Sequence, residues 1–170
     1  MKLDKVILSC TDDYYFDYFE IVSLAWKEIG VEPVLFLIGD SNKKAENIIN
    51  FNIKNIDKAF MSQNIRLLGP SLFPDDICLI SDIDMMPMSK QYFQENIKSY
   101  SEDSFILYRD KATKDTMYPI CYNAAKGSLW GSIFSVNNIN EIQDTLEDWF
   151  SKQMEIEERS WYFDQIILKK

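Results

Sequence analysis

The sequence contains three short apolar runs that strongly constrain its fold. They span residues 6–10, 33–38 and 77–80, and polar residues follow each of them. Continuous apolar runs of this length are typical of strands that are covered on both faces, as in parallel sheets. A helical pattern, which Gly30 closes, separates the first two runs. Strand, helix and strand in this order predict an α/β sheet whose first strands are parallel.

The remaining segments extend this α/β interpretation to residue 170. No linker or internal repeat interrupts the sequence, so we expect a single domain over residues 1–170 with a mixed, mostly parallel sheet flanked by helices. Residues 43–60 are ambiguous and are expected to contain a helix and a short strand. We predict helices over 14–29, 62–68, 90–100, 140–151 and 162–170, and further strands over 104–108 and 118–122.

The composition excludes several classes of function. The formal net charge is −9, which argues against nucleic acid as a partner because phosphate backbones require a Lys/Arg surface. The chain has no histidine, so catalytic triads and metal sites built on histidine are excluded. An acidic protein that binds an anionic ligand needs a cation or a few well-placed basic side chains at the site.

The cysteines and the N-terminal residues bear on localisation. The three cysteines are far apart, which predicts buried free thiols in a reducing compartment. The first apolar run is too short for a signal peptide, and no segment is long enough to span a membrane. We therefore expect a soluble, cytoplasmic protein without a signal peptide.

The most informative motif is Asp82-Ile83-Asp84, which directly follows the apolar run 77–80. Ligands of open α/β sheets bind at the carboxyl ends of strands, and Ile83 points away so that both acids can face one point. Two close carboxylates repel unless a cation joins them, and Mg²⁺ or Mn²⁺ with a diphosphate suits oxygen ligands. The alternative is a solvated acidic turn, but the apolar residues on both sides favour a site.

Residues 79–88, Leu-Ile-Ser-Asp-Ile-Asp-Met-Met-Pro-Met, resemble the DXD segment of GT-A glycosyltransferases, which have a Rossmann-like fold. The resemblance implies a metal-dependent glycosyltransferase, hexosyltransferase-like, that uses a UDP-sugar or GDP-sugar and an unknown glycan or other acceptor. It implies that Asp82 contacts the ribose, the metal or both, and that Asp84 is a direct metal ligand. Ser81 and Ile83 are expected beside the nucleotide.

Two segments before this motif also resemble the family. Residues 8–15 are similar to its first strand and loop, which implies that Thr11 and either Tyr14 or Tyr15 bind the base and ribose, with Tyr15 as the candidate. A helix cap and core aromatics are the alternative.

Arg66 precedes Asp82 by sixteen residues, where many members have a basic residue that reaches the sugar or diphosphate. The alternative for Arg66 is a surface charge on a helix.

Two later segments complete the resemblance. Residues 118–127 are similar to a segment that carries an Asn before small residues, which implies that Asn123 and Lys126 approach the donor sugar. Residues 161–165 resemble an aromatic-Asp-Gln segment, which implies that Asp164 or Gln165 touches a sugar. Asn123 and Asp164 are the catalytic candidates, and Asp110 and Asp115 are alternatives to Asp164 as the carboxylate base of an inverting enzyme. The competing role of Asp164 is a helix cap.

The sequence departs from the family pattern in two respects. Many members complete the metal site with a downstream histidine, which this chain lacks, so another acid or water is expected there. The C-terminal acceptor-binding portion of larger members is also expected to be absent. A non-catalytic domain that binds nucleotide sugars is therefore one alternative function.

Two other enzyme classes share part of the pattern. Phosphatases of the haloacid-dehalogenase type place a nucleophilic Asp after a strand, but they carry Thr or Val where this chain has Met86. Sugar-nucleotide pyrophosphorylases have a Gly-rich N-terminal loop, whereas residues 9–13 contain no Gly. Both alternatives rank below a glycosyltransferase.

Overall fold

A computed structural model describes residues 1–41, 43–109, 117–154 and 162–170. The strands are β1 (Lys5–Thr11), β2 (Glu32–Ile38), β3 (Ile48–Phe51), β4 (Ile77–Ile80), β5 (Ile106–Leu107) and β6 (Asn123–Lys126). The helices are α1 (Phe19–Glu28), α2 (Lys58–Leu68), α3 (Gly127–Phe134), α4 (Ile139–Met154) and α5 (Phe163–Lys169).

The six strands form one sheet in the order β3-β2-β1-β4-β6-β5. The first four run parallel, while β6 is antiparallel to both of its neighbours. The residues of β4 and the central residues of β1 and β2 are buried, as their apolar runs predict. The predicted α/β architecture, a mixed and mostly parallel sheet flanked by helices, is confirmed.

The helices bury their apolar faces against this sheet and against one another. Helix α1 packs on β2, and α2 packs on β1 and β2 while also contacting α3, α4 and α5. Aromatic contacts connect α2 to two of these helices, because the Phe60 ring lies 5.2 Å from Phe150 and 5.8 Å from Phe163. None of the helices in the described residues is long and apolar enough to cross a membrane.

Several predicted elements differ from the observed ones. The strand predicted over 118–122 lies instead at 123–126, where pairing with β4 determines the strand although its residues have low intrinsic preference for strands. The helix predicted over 90–100 is a single π-helical turn at 91–95 followed by turns. The helix predicted from residue 14 begins as a 3₁₀ turn at 16–18, after Tyr15 adopts a left-handed backbone with φ 67°.

Smaller differences concern element boundaries. The ambiguous segment 43–60 contains β3 and the start of α2, which begins four residues earlier than predicted. The strand predicted over 104–108 is limited to 106–107. Asp57 explains the earlier start of α2, because its side chain accepts a hydrogen bond from the Phe60 backbone N–H at 2.9 Å and caps the helix.

The topology brings the ends of three strands to one edge of the sheet. β1 and β4 are parallel, so Thr11 and Ile80 end at the same edge. β6 runs the other way and therefore begins there, with Asn123 paired to Ile80. Continuing this antiparallel register two residues beyond the sheet places Cys121 opposite Asp82.

Candidate functional site

A cleft of about 670 Å³ lies at this edge of the sheet. Its lining comes from the end of β1 and the loop after it, the first turns of α2, the residues beside the ends of β4 and β6, and the start of α5. The cleft brings together six of the residues that the sequence predicts for the site: Thr11, Tyr15, Arg66, Asp82, Asp164 and Gln165.

The guanidinium of Arg66 is the centre of the cleft's ion pairs. Arg66 is only 7% exposed, and its Nη1 donates to Asp82 Oδ1. Its Nη2 lies 3.4 Å from Asp164 Oδ2, and its Nε donates to the Gln63 carbonyl at 3.4 Å. Arg66 is therefore not an exposed helix charge: it connects a residue after β4 to a residue of α5.

The two carboxylates on Arg66 have different electrostatic environments. Burial acts to raise the pKa of Asp82, but the charge of Arg66 and hydrogen bonds from Cys121 and Arg66 outweigh it, so this pKa is lowered. Burial raises the pKa of Asp164 to about 6, and the attraction of Arg66 only partly offsets it. The difference follows from geometry, because Asp164 is more deeply buried and its contact with Arg66 is longer.

Cys121 is a contact of Asp82 that the sequence analysis missed. Its Sγ donates a hydrogen bond to Asp82 Oδ2 at 2.7 Å, and burial raises the pKa of this thiol to about 12, so it is a protonated donor at neutral pH. The signal that could have revealed it is the strand register between β4 and β6. Placing the strand over 118–122 concealed that register.

The chain turns at the Asp-Ile-Asp motif, so the two acids have different surroundings. The Met85 N–H donates to the Asp82 carbonyl at 3.3 Å, closing a turn. Ile83 is buried in the core, and the Ser81 hydroxyl donates to the Asp82 carbonyl at 3.2 Å. Asp84 is exposed and lies outside the lining of the cleft.

The acids of the Asp-Ile-Asp motif offer few protein ligands for a divalent cation. Among residues 1–41, 43–109, 117–154 and 162–170, no group of three or more His, Cys, Asp or Glu side chains could hold a metal ion. Mg²⁺ commonly binds through one or two carboxylates and completes its shell with water and substrate phosphates. The Asp82 oxygens each retain lone pairs beyond their hydrogen bonds to Arg66 and Cys121. Asp82 therefore retains oxygen lone pairs, but within the described residues no set of protein side chains would hold a metal ion without further ligands.

The rim of the cleft carries aromatic rings and an ion pair. Tyr14 and Tyr15 line it with 68% and 51% of their surfaces exposed. Lys58, also on the lining, lies with its Nζ 2.7 Å from Asp12 Oδ1. The Asp12 carboxyl packs against Gly39, where a side chain would collide with it and where φ is 136°. Lys58 is a cleft cation that the sequence analysis did not single out.

Five predicted site residues do not line the cleft: Ser81, Ile83, Asp84, Asn123 and Lys126. The Asn123 amide donates to the carbonyls of Pro119 and Ile120, each at 2.8 Å, and so holds the turn before β6. Lys126 is paired in register with Ile77, at the opposite end of β4 from Asp82, and its Nζ lies 3.9 Å from Glu102.

Three further expectations concern the small residues after Asn123, a helix cap at Asp164 and the alternative catalytic bases. The small residue Gly127 accommodates the backbone of Phe73, which a Cβ would meet. Asp164 is not the N-cap residue of α5, because it is the second residue of the helix. Its Oδ1 accepts a hydrogen bond from the Gln165 N–H at 2.8 Å. The alternative bases Asp110 and Asp115 lie outside the described residues.

Comparison with solved structures shows that the chain has the fold of a glycosyltransferase. It is similar to the apo form of the glycosyltransferase GlyE from Streptococcus pneumoniae TIGR4, with a TM-score of 0.59 and 12% identity. A second structure of GlyE gives a TM-score of 0.55, also with 12% identity. In both, the match covers 99% of this chain and 43% of GlyE, so the chain spans less than half of that protein. No protein-family profile and no curated protein sequence matches this chain.

Proposed function

We propose that this chain binds a nucleotide-diphosphate sugar together with a divalent cation and transfers the sugar to an acceptor. The observation that carries the proposal is the cleft in which Arg66, Asp82 and Asp164 converge at the carboxyl edge of the sheet. Open α/β sheets bind ligands at this edge, and a cleft of about 670 Å³ is large enough for a nucleotide. The glycosyltransferase fold supports the same conclusion.

The nucleoside would bind at the end of the cleft formed by the β1 loop. Thr11 and Tyr15 line this part, and the exposed ring of Tyr15 offers a stacking surface for a base. The left-handed backbone of Tyr15 is uncommon for a residue with a side chain, and such strain is concentrated at functional sites.

The diphosphate would bind between Lys58 and the Asp-Ile-Asp turn. Arg66 already contacts two carboxylates, so we assign it to holding Asp82 and Asp164 in place. Lys58 is better placed to contact a phosphate, because its side chain is 39% exposed on the lining. Asp82 and Asp84 would hold Mn²⁺ or Mg²⁺, whose charge would offset the charge that develops on the leaving diphosphate.

The sugars would bind at the start of α5. Asp164 and Gln165 line this part, and both side chains carry oxygens that can accept hydrogen bonds from sugar hydroxyl groups. Asp164 is also the candidate base for an acceptor hydroxyl, since its pKa of about 6 leaves it mostly ionised at neutral pH while keeping it more basic than an ordinary Asp.

The first test is calorimetry of UDP and GDP in Mn²⁺ and in chelator, on wild type and on Asp84→Asn. Asp84 is exposed and supports no described hydrogen bond, so the variant should fold normally. We expect wild type to bind one nucleotide only with metal, and Asp84→Asn to lose at least about tenfold in affinity. Equal affinity in chelator, or an unaffected variant, would remove the basis for a metal-assisted site.

The second test separates transfer from binding alone. Wild type with Mn²⁺ is incubated with UDP-sugars and GDP-sugars, and release of the nucleoside diphosphate is followed over hours. Slow release to water by wild type, lost in Asp164→Asn, supports a transferase. Tight binding without any release, with or without candidate acceptors, would instead identify a nucleotide-sugar binder.

A further inference from the structure

We propose that Cys121 is a positioning residue whose thiol orients the Asp82 carboxylate. The inference rests on the proposed function for its effect on nucleotide binding, but the thiol–carboxylate contact itself does not. Cys121 is 4% exposed and its Sγ lies 2.7 Å from Asp82 Oδ2, so a ligand need not touch the thiol for it to act.

The two oxygens of Asp82 are held by donors from different parts of the fold. Oδ1 accepts from Arg66 on α2, and Oδ2 accepts from Cys121, two residues before β6. The terminal torsion of an Asp side chain is broad and poorly defined by sterics alone. Donors on both oxygens therefore determine the plane of a carboxylate whose side chain is still 33% exposed to the cleft.

The thiol also affects how the two terminal guanidinium nitrogens of Arg66 are divided between Asp82 and Asp164. A guanidinium and a carboxylate readily form a two-pronged pair, with two parallel N–H···O bonds. Such a pair would turn Asp82 Oδ2 towards Arg66 and compete with the contact between Arg66 and Asp164. By retaining Oδ2, Cys121 leaves the second guanidinium nitrogen available to Asp164.

The position of Cys121 follows from the sheet. Asn123 pairs with Ile80, and the antiparallel register continued by two residues sets Cys121 against Asp82. Cys10 and Cys78 are equally buried, but within the described part of the chain neither thiol has a hydrogen bond to a carboxylate. Cys78 therefore provides a matched control: a buried thiol on the neighbouring strand, without the proposed role.

The spectroscopic test needs no ligand. Infrared difference spectra of wild type against Cys121→Ser and against Cys78→Ala isolate the S–H stretching bands of the two thiols. We expect the Cys121 band at lower frequency than the Cys78 band, because donation to a carboxylate weakens the S–H bond, and we expect Asp82→Asn to shift it upwards. A Cys121 band that coincides with the Cys78 band would overturn the inference, whatever the protein binds.

The binding test uses UDP and GDP in Mn²⁺. Cys121→Ala should lower the affinity for the nucleotide that wild type binds by about tenfold, which is the scale of one hydrogen bond to a charged group. Cys121→Ser should bind that nucleotide within about threefold of wild type, because its hydroxyl can replace the thiol as a donor. Cys78→Ala should leave the affinity unchanged even if it lowers the melting temperature. If Cys121→Ala and Cys78→Ala bind alike, the thiol does not position Asp82. If wild type binds neither nucleotide, the proposed function fails, and the infrared comparison still decides the role of Cys121.

Discussion

At the scale of single residues, the guanidinium of Arg66 contacts two carboxylates whose pKa values shift in opposite directions. The lowered pKa of Asp82 means that its ionised form stabilises the fold, and this contribution is lost as the pH falls through the lowered value. The raised pKa of Asp164 means the reverse: the folded protein retains a proton that the unfolded chain has already released.

This contrast predicts how Asp164→Asn changes stability with pH. Between the ordinary value of 3.8 and about 6, the folded state binds more protons at this residue than the unfolded state, so its contribution to stability falls as the pH rises. Relative to Asp164→Asn, metal-free wild type should lose on the order of 3 kcal/mol across this window. Urea unfolding of both proteins from pH 4 to pH 7 measures the difference, which would stay constant if the pKa of Asp164 were ordinary.

Lys58 leads to a second prediction at this scale. If its ammonium contacts the diphosphate, Lys58→Ala should weaken inorganic diphosphate binding by roughly threefold to tenfold in Mn²⁺, and Lys58→Arg should weaken it less. Lys27→Ala is the matched control, because Lys27 also pairs with a carboxylate, Glu32, but lies outside the cleft lining. Calorimetry with inorganic diphosphate isolates the phosphate contact from the base. An equal loss in both variants would point to net charge alone.

At the scale of elements, α2 carries Lys58 and Arg66, and its start depends on one cap. Asp57 accepts the Phe60 N–H, so Asp57→Ala should lower the free energy of unfolding by about 1 kcal/mol, whereas Asp57→Asn should remain near wild type because Asn is an equally good cap. Chemical unfolding of the three proteins tests this. Equal stability of all three would show that the cap contributes little to holding α2.

The elements also show what local sequence can and cannot predict. β1, β2 and β4 are predictable because each contains a short, largely apolar run that is buried in the sheet. β6 is not, since Asn-Ala-Ala-Lys has no strand pattern and forms a strand only through its pairing with β4. The start of α2 was missed because a cap acts through one side chain, not through apolar periodicity.

At the scale of the whole molecule, the site combines residues that the sequence predicts with contacts between residues far apart in the chain. The sequence predicts Asp82 at the end of a central strand, and the family resemblance implies that Arg66 reaches the ligand; the structure joins these two side chains in an ion pair. Cys121 and Lys58 contact residues 39 and 46 positions away in the chain, and no local pattern indicates such pairs. The family resemblance of residues 118–127 places Lys126 near the donor sugar, but the direction of β6 carries it to the other end of β4.

The net charge of −9 leads to a prediction about ligands of different charge. An acidic protein repels anions, so each added phosphate should help binding only when a divalent cation is present. In Mn²⁺ we expect affinity to rise from nucleoside to monophosphate to diphosphate, with about tenfold between the last two. In chelator the diphosphate should bind no more tightly than the monophosphate. Calorimetry of the three ligands measures both series, and a diphosphate preference that persists in chelator would show that protein cations suffice.

The antiparallel pairing of β6 with β4 also determines which changes in chain length this site can accept. Residues added before Ile120 leave Cys121 opposite Asp82, so related chains can differ in length there without altering the contact. One residue added between Tyr122 and Asn123 would instead bring the phenol of Tyr122 opposite Asp82 and displace the thiol. Natural variation in length should therefore stop about three residues before β6, although those residues belong to a turn, where insertions are ordinarily tolerated.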